Sequence, residues 1–288
     1  MKKIEVLQKE IIEGRRMLNG RYTLGSKIGE GGLSEVYEAS DIYSQYFDDK
    51  RDLVIKLPLA SLADKKDITA FVYSEYSLLN MLHHDNIVKV VDFGIDESTN
   101  IAYLVMEKLD GRLLMNVPLH QIDKKMKKNI AISLYKAVMH IHNRGIVHAD
   151  INPTNVMVSA DGHAQLFDFG ISQSITRKKA FNLNFKKVNA YNPRYTAPEV
   201  FEGDVPSKET DIFSLACLLF ELYTSELPFE KSSKELAVKP LTAKQLKDVP
   251  FLQRAWFKKV LQFDKKNRTQ ELPLSQKWSF YFNSCKVN

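Results

Sequence analysis

His148-Ala149-Asp150-Ile151-Asn152-Pro153-Thr154-Asn155, followed ten positions on by Gln165-Leu166-Phe167-Asp168-Phe169-Gly170, decides the fold. An Asp and an Asn stand five positions apart, and a second Asp follows the first by eighteen. That spacing suits one general base and two oxygen ligands for Mg²⁺, an ion that takes few ligands from protein and leaves the rest to phosphates and waters. Isolated Asp and Asn in loops are more often turn formers. Their joint occurrence here carries the chemical reading.

Upstream, Lys56 lies in Leu53-Val54-Ile55-Lys56-Leu57, where alternation sets it among apolar neighbours. A half-buried ammonium needs an anionic partner. Glu75, nineteen positions on in a helical segment, can provide one; a surface lysine on an edge strand is the alternative. Gly29-Glu30-Gly31-Gly32-Leu33-Ser34-Glu35-Val36 lies between two strand-like segments. Glycines let a backbone approach phosphate oxygens and offer them its N–H groups, and a glycine-rich hairpin turn reads the same way. A strand follows the glycines, which argues against the strand-then-helix dinucleotide arrangement.

Outward from these motifs the chain divides into two kinds of pattern. Residues 3–18 place Ile4, Leu7, Ile11 and Ile12 at helical spacing, with Leu18 as a last apolar position, so residues 1–20 are expected to be an amphipathic helical extension. Strands are expected at 22–28, 34–39, 53–57, 87–93 and 101–107, with one helix over 67–82. Beyond Leu109 the pattern turns helical, over 127–143, over the nearly all-apolar 211–224 and over 242–263. A sheet-rich half before a helical half predicts an α+β chain of two lobes with a cleft, the first over 21–107 and the second over 108–288.

Composition excludes several classes. The 288 residues are 44% hydrophobic and 26% charged, with too few Gly (12) and Pro (10) for a collagen-like or low-complexity chain. Cys217 and Cys285 cannot build a disulfide framework or a four-thiolate zinc site, and the absence of a Cys-x-x-Cys pair favours a reducing compartment. The start Met1-Lys2-Lys3-Ile4-Glu5 lacks the apolar run of a secretory signal, and the apolar stretch 212–222 is too short to span a bilayer. A soluble cytoplasmic protein is expected. The net charge of +6 reads as a surface with surplus lysine, since the basic clusters are separated and lack interleaved aromatics; no nucleic-acid partner is expected.

Over roughly residues 21–280 the chain resembles a eukaryotic-type protein kinase of Ser/Thr kind. The markers arrive in that family's order: glycine loop, Lys56 in a V-I-K strand, Glu75, the loop 148–155, Asp168-Phe169-Gly170, Ala197-Pro198-Glu199, Asp211 and Arg268. Asp92-Phe93-Gly94 spells the same tripeptide, but follows His84-Asp85-Asn86-Ile87-Val88 and precedes the catalytic loop. It is read as a strand ending at a turn. The resemblance implies a bilobal fold and ATP- and Mg²⁺-dependent phosphoryl transfer to protein Ser/Thr hydroxyls. It implies that Asp150 orients the acceptor and takes its proton, that Asn155 and Asp168 hold Mg²⁺, and that Lys56, held by Glu75, meets the α- and β-phosphates. Ile28, Gly29, Glu30, Gly31, Gly32, Leu33, Ser34 and Val36 then belong to the nucleotide site, with Met106 as gatekeeper and Glu107-Lys108-Leu109 as the hinge. Arg268 would pair with Glu199.

The chain departs from the family in four places. Ser34 stands at the third glycine of the loop. Ala149 replaces the Arg beside the catalytic Asp, which predicts activity independent of phosphorylation of the 168–199 loop. Asn152 stands where the family has Lys and Asn192 where it has Thr, and the two are expected to meet Asp150 from opposite sides as a coupled pair of amides. The loop offers Ser172, Ser174, Thr176 and Thr196 as hydroxyls and Lys178, Lys179, Lys186 and Lys187 as charges. The alternatives are a nucleotide-binding pseudokinase scaffold, favoured by Ala149, Asn152 and Asn192, and a small-molecule kinase.

Overall fold

A computed structural model of the chain describes residues 17–47, 51–62, 67–175, 192–230, 232–237, 239 and 241–269. The described residues fall into two units. One takes the residues up to Leu109 and the segment beginning at Phe169; the other takes Asp110–Asp168 and the residues from 192 on. The expected cut lay after residue 107, with everything later in the second lobe. Lys108 stays with the first unit because its N–H donates to Asp52 O (2.8 Å) and its ammonium meets Glu38 (2.7 Å). Phe169 joins it through its N–H, which donates to Glu75 Oε1 at 3.1 Å.

The first unit is a six-stranded antiparallel sheet. Its strands are β1 (Met17–Leu18), β2 (Tyr22–Glu30), β3 (Ser34–Asp41), β4 (Leu53–Pro58), β5 (Val90–Asp96) and β6 (Ile101–Glu107), in the order β1-β2-β3-β4-β6-β5. A short helix α1 (Ile42–Tyr46) follows β3, and α2 (Ile68–Leu79) packs on β5 and β6. Leu24, Tyr37, Ile55, Tyr103 and Val105 belong to the core. Residues 1–16 of the expected extension lie outside the described residues, and its end is not helical. Met17 and Leu18 pair with Thr23 and Tyr22 around Asn19-Gly20, whose φ values are +48° and +62°. Asn-Gly accepts the two left-handed residues of a tight hairpin turn, and that local preference overrides the helical spacing of Leu18.

The sheet curls until its two edges meet. Asn19 Nδ2 donates to Ile95 O (2.9 Å) and Asn19 N to Asp96 Oδ1 (3.2 Å), while Arg21 and the Tyr22 hydroxyl both reach Asp92 Oδ2. Asp92-Phe93-Gly94 therefore lies inside β5 rather than at a strand end, and its carboxylate serves this seam. Gly94 is a packing glycine: a Cβ there would stand 2.3 Å from the Tyr103 ring.

The second unit is mainly helical. Helix α3 (Lys124–Asn143) starts at Asp123, whose carboxylate accepts from Met126 N at 2.7 Å. A two-residue strand β7 (Arg112–Leu113) pairs with β9 (Val156–Val158), which pairs with β10 (Ala164–Leu166); β8 (Ile146–Val147) precedes the loop at 148. Helices α4 (Pro198–Glu202), α5 (Lys208–Thr224) and α6 (Arg254–Val260) complete it. Nearly every side chain of α5 from Thr210 to Leu222 is buried, as a helix central to its unit requires. The helix expected over 242–263 is reduced to α6. Turns occupy 243–248, Pro250 disfavours helical geometry at Val249, and helix begins only after a short 3₁₀ turn. Cys217 is a buried free thiol, and no helix among the described residues is long and apolar enough to cross a membrane.

Candidate active site

In the first unit, β4 is central, between β3 and β6, and all six of its residues are buried. Lys56 is thus not an edge-strand surface lysine. Its Nζ lies 2.7 and 2.8 Å from the two carboxylate oxygens of Glu75 on α2, and Glu75 Oε1 also accepts from Phe169 N. Burying two charges is costly unless each is paired, and this pair satisfies both.

The glycine segment turns between β2 and β3, closed by Gly31 N donating to Ser34 O at 2.8 Å. Neither Gly29 nor Gly31 has a positive φ, and a Cβ on either would meet nothing closer than 3.8 Å. The hairpin itself therefore does not require glycine at these positions, whereas a ligand that must lie against the backbone does. Ile28, Glu30, Gly31 and Gly32 are exposed, Gly29, Leu33 and Val36 are half-buried, and Ser34 is buried at the start of β3. The Glu30 carboxylate is occupied by Lys27 at 2.5 Å. Met106 is buried on β6 opposite Val54 and Val90. Glu107 donates its N–H to Lys89 O (3.0 Å) and pairs with Lys89 Nζ (2.8 Å); Leu109 follows, half-buried.

In the second unit one buried carboxylate organises the loop at 148. Asp211 on α5 accepts from His148 N and Ala149 N, each at 2.8 Å, and lies 2.9 Å from His142 Nε2. Ala149 has φ +70°, a left-handed conformation that costs a non-glycine residue about 1–2 kcal/mol. The two hydrogen bonds to Asp211 hold it there. Asp150 follows. Its Oδ1 accepts from Asn152 Nδ2 (2.9 Å) and its Oδ2 from Asn155 Nδ2 (2.7 Å), and the backbone of Asn192 also donates to the carboxylate. Burial, and next the nearby Asp168 carboxylate, push the Asp150 carboxyl up to about 7 against the pull of these three hydrogen bonds.

Asn155 O accepts from Phe167 N at 3.0 Å, which ties the strand end before Asp168 to the loop. Asp168 itself has φ +64°. The Asp168 carboxylate, close enough to raise the proton affinity of Asp150, forms with it and the neutral amide of Asn155 an oxygen-rich set that fits a hard divalent cation such as Mg²⁺. Among the described residues no group of three or more His, Cys, Asp or Glu side chains could hold a metal.

The expected pairing of two amides on Asp150 is corrected in part. Asn192 contributes its backbone, while its side-chain oxygen accepts from Arg194 N at 3.2 Å. The second amide is that of Asn155. Two of the expected loop hydroxyls are also internal: Ser172 is buried, and buried Thr196 donates its hydroxyl to Asn192 O at 2.7 Å. Thr176, Lys178, Lys179, Lys186 and Lys187 lie outside the described residues.

Downstream, Arg268 Nη1 meets Glu199 Oε1 at 2.8 Å, and its guanidinium lies over the Phe213 ring at 4.5 Å. Sequence reasoning missed the neighbouring contact, in which the Tyr195 hydroxyl donates to Glu221 Oε2 at 2.5 Å. Both residues line a cavity of about 420 Å³ that also borders Thr154 and Asn192, flanking the Asp150 clamp. It missed His142 as well, although His142 stands six positions before His148 on the apolar face of α3.

The sequence profile of the protein kinase domain matches residues 22–272. The chain is similar to serine/threonine-protein kinase PrkC of Bacillus subtilis, with 33% identity over 236 residues, covering 80% of this chain and 34% of the relative. It is 33% identical over 218 residues to serine/threonine-protein kinase PknB of Mycobacterium leprae, covering 74% and 34%. PknB of Mycobacterium tuberculosis gives 31% over 220 residues, covering 75% and 34%. The chain thus spans about a third of the length of these curated relatives.

Proposed function

Since the chain belongs to the protein kinase domain family, we propose that it is a Ser/Thr protein kinase, using ATP and Mg²⁺ to phosphorylate a protein hydroxyl. The observation that carries this reading is the closed, buried Lys56–Glu75 pair with the Phe169 N–H on the same carboxylate. Kinase catalysis needs that pair in place, since phosphoryl transfer asks the protein mainly for positioning and electrostatics. The relatives' names supply the acceptor class.

In this reading Lys56 anchors the α- and β-phosphates and the 28–36 segment covers them with backbone N–H groups. Met106 and the 107–109 hinge meet the adenine. Asn155 and Asp168 would hold Mg²⁺, which when bound neutralises charge on the phosphates. Asp150 accepts the hydrogen bond of the acceptor hydroxyl and takes its proton. The cavity bordered by Tyr195 and Glu221 receives the acceptor peptide. Formation of the pair in the unmodified chain, with Ala149 in place of Arg, supports activity without loop phosphorylation. The free buried thiol of Cys217 suits a reducing, cytoplasmic compartment.

The test is label transfer from γ-labelled ATP to a generic basic protein with Mg²⁺, beside an Asp150→Ala control. Transfer lost in the control, with phosphoserine or phosphothreonine in the product, is the expected result. Mg²⁺-dependent nucleotide binding without transfer to any acceptor would replace the enzyme with a scaffold.

A further inference from the structure

We infer that Asn152 is a positioning residue for phosphoryl transfer, its amide fixing the carboxylate of Asp150 where kinases of this family carry a lysine. The inference rests on the kinase reading above.

Asn152 is 1% exposed and precedes the 3₁₀ turn Pro153–Asn155 in extended conformation. Its Oδ1 accepts from Thr154 N (2.9 Å) and from the Thr154 hydroxyl (2.5 Å). A backbone N–H can only donate, so this atom is the amide oxygen and the other is the NH₂ group. That group faces Asp150, donating to Oδ1 at 2.9 Å and, more weakly, to the backbone oxygen at 3.3 Å. From the other side of Pro153-Thr154, Asn155 Nδ2 donates to Asp150 Oδ2 (2.7 Å) and to Asp150 O (2.9 Å).

Each carboxylate oxygen therefore has its own amide, and rotation about the Asp150 side chain would break both bonds at once. Rotation of Asn152 is blocked in turn by its cap on Thr154. These partners are neutral. The aim of the base is set by a closed loop of hydrogen bonds within six residues, 150–155, joined by the backbone of Asn192, and needs neither a lysine nor a phosphorylated loop. A misplacement of the base by about 1 Å is enough to cost on the order of 10²-fold in rate.

Two substitutions separate the cap from the clamp. Asn152→Ser keeps an acceptor for Thr154 N, since serine is a good cap, but is too short to reach Asp150. Asn152→Asp keeps the acceptor and turns the donor into a second acceptor facing Asp150. Both are expected to lower kcat by roughly 10- to 100-fold with the KM for ATP unchanged; Tm should be little altered in Asn152→Ser and lowered in Asn152→Asp, which buries a second carboxylate against Asp150. Unchanged kcat in Asn152→Ser overturns the inference. So does a fall in kcat in Asn152→Ser that tracks a fall in its Tm, which would assign Asn152 to the fold. A readout independent of activity is the side-chain ¹⁵N amide resonance of Asn152, expected to shift in Asp150→Ala; an unmoved resonance also overturns the clamp. If the unsubstituted protein transfers no phosphate, the kinase reading fails, and the resonance still decides whether the clamp exists.

Discussion

Lys56 and Glu75 are each buried, so replacing either alone removes a close countercharge from the other in a medium that solvates charge poorly. Lys56→Met and Glu75→Gln are each expected to destabilise by about 3–5 kcal/mol in urea unfolding, whereas Lys56→Met with Glu75→Leu recovers much of that loss. Phosphate transfer should be abolished in all three, which separates the pair's chemical role from its cost to the fold. Asp150 is governed by the opposite balance. Its carboxyl is pushed up to about 7 from an ordinary value near 4, so the folded state binds the proton more tightly than the unfolded chain does. The stability this contributes is complete below pH ~4 and lost as pH rises through 7. In metal-free protein the Tm of Asp150→Ala relative to the parent should therefore rise between pH 4 and pH 8. A flat or falling difference would remove Asp150 from its anionic, buried setting.

Among the elements, two of the hairpins of the first unit use glycine for different reasons. Gly20 has open space around its missing Cβ and needs only its φ of +62°, so Gly20→Ala should cost about 1 kcal/mol. Gly94 has an ordinary backbone but faces the Tyr103 ring, so Gly94→Ala should cost up to about 3 kcal/mol through overpacking. Chemical denaturation of the two variants checks the order. The first glycine was legible, since Asn19-Gly20 before an alternating strand is a hairpin signal, and only the helical spacing of Ile4 to Leu18 concealed it. The second was not, because it depends on the register that sets Gly94 opposite Tyr103. Likewise Pro250 was a readable stop, whereas the internal position of Thr196 depends on bonds to Asn192 and Ser233 formed in the folded chain.

On the scale of the whole molecule, the Mg²⁺–ATP complex should raise Tm by more than either component alone. At a hundred times Kd the gain is about 2.7 kcal/mol. In Asp168→Ala the Mg²⁺-dependent part of the shift should vanish, while the protein remains folded. The motifs at 28–36, 148–155 and 168–170 were legible because each is a short run whose spacing is fixed by one turn. The contacts that Asp211 and Glu75, themselves named from the sequence, make beneath them were not. Asp211 reaches His148 across 63 positions and Phe169 reaches Glu75 across 94, distances over which no periodicity informs. The polar seam between Asn19 and the β5 strand has a consequence for association rather than for catalysis. A sheet of this length ordinarily exposes two ladders of unmatched backbone groups on which another chain can polymerise. Here side chains from one border engage the other, so Asn19→Ala should promote turbidity on prolonged storage at high concentration before it measurably alters turnover, making this turn a safeguard of colloidal stability.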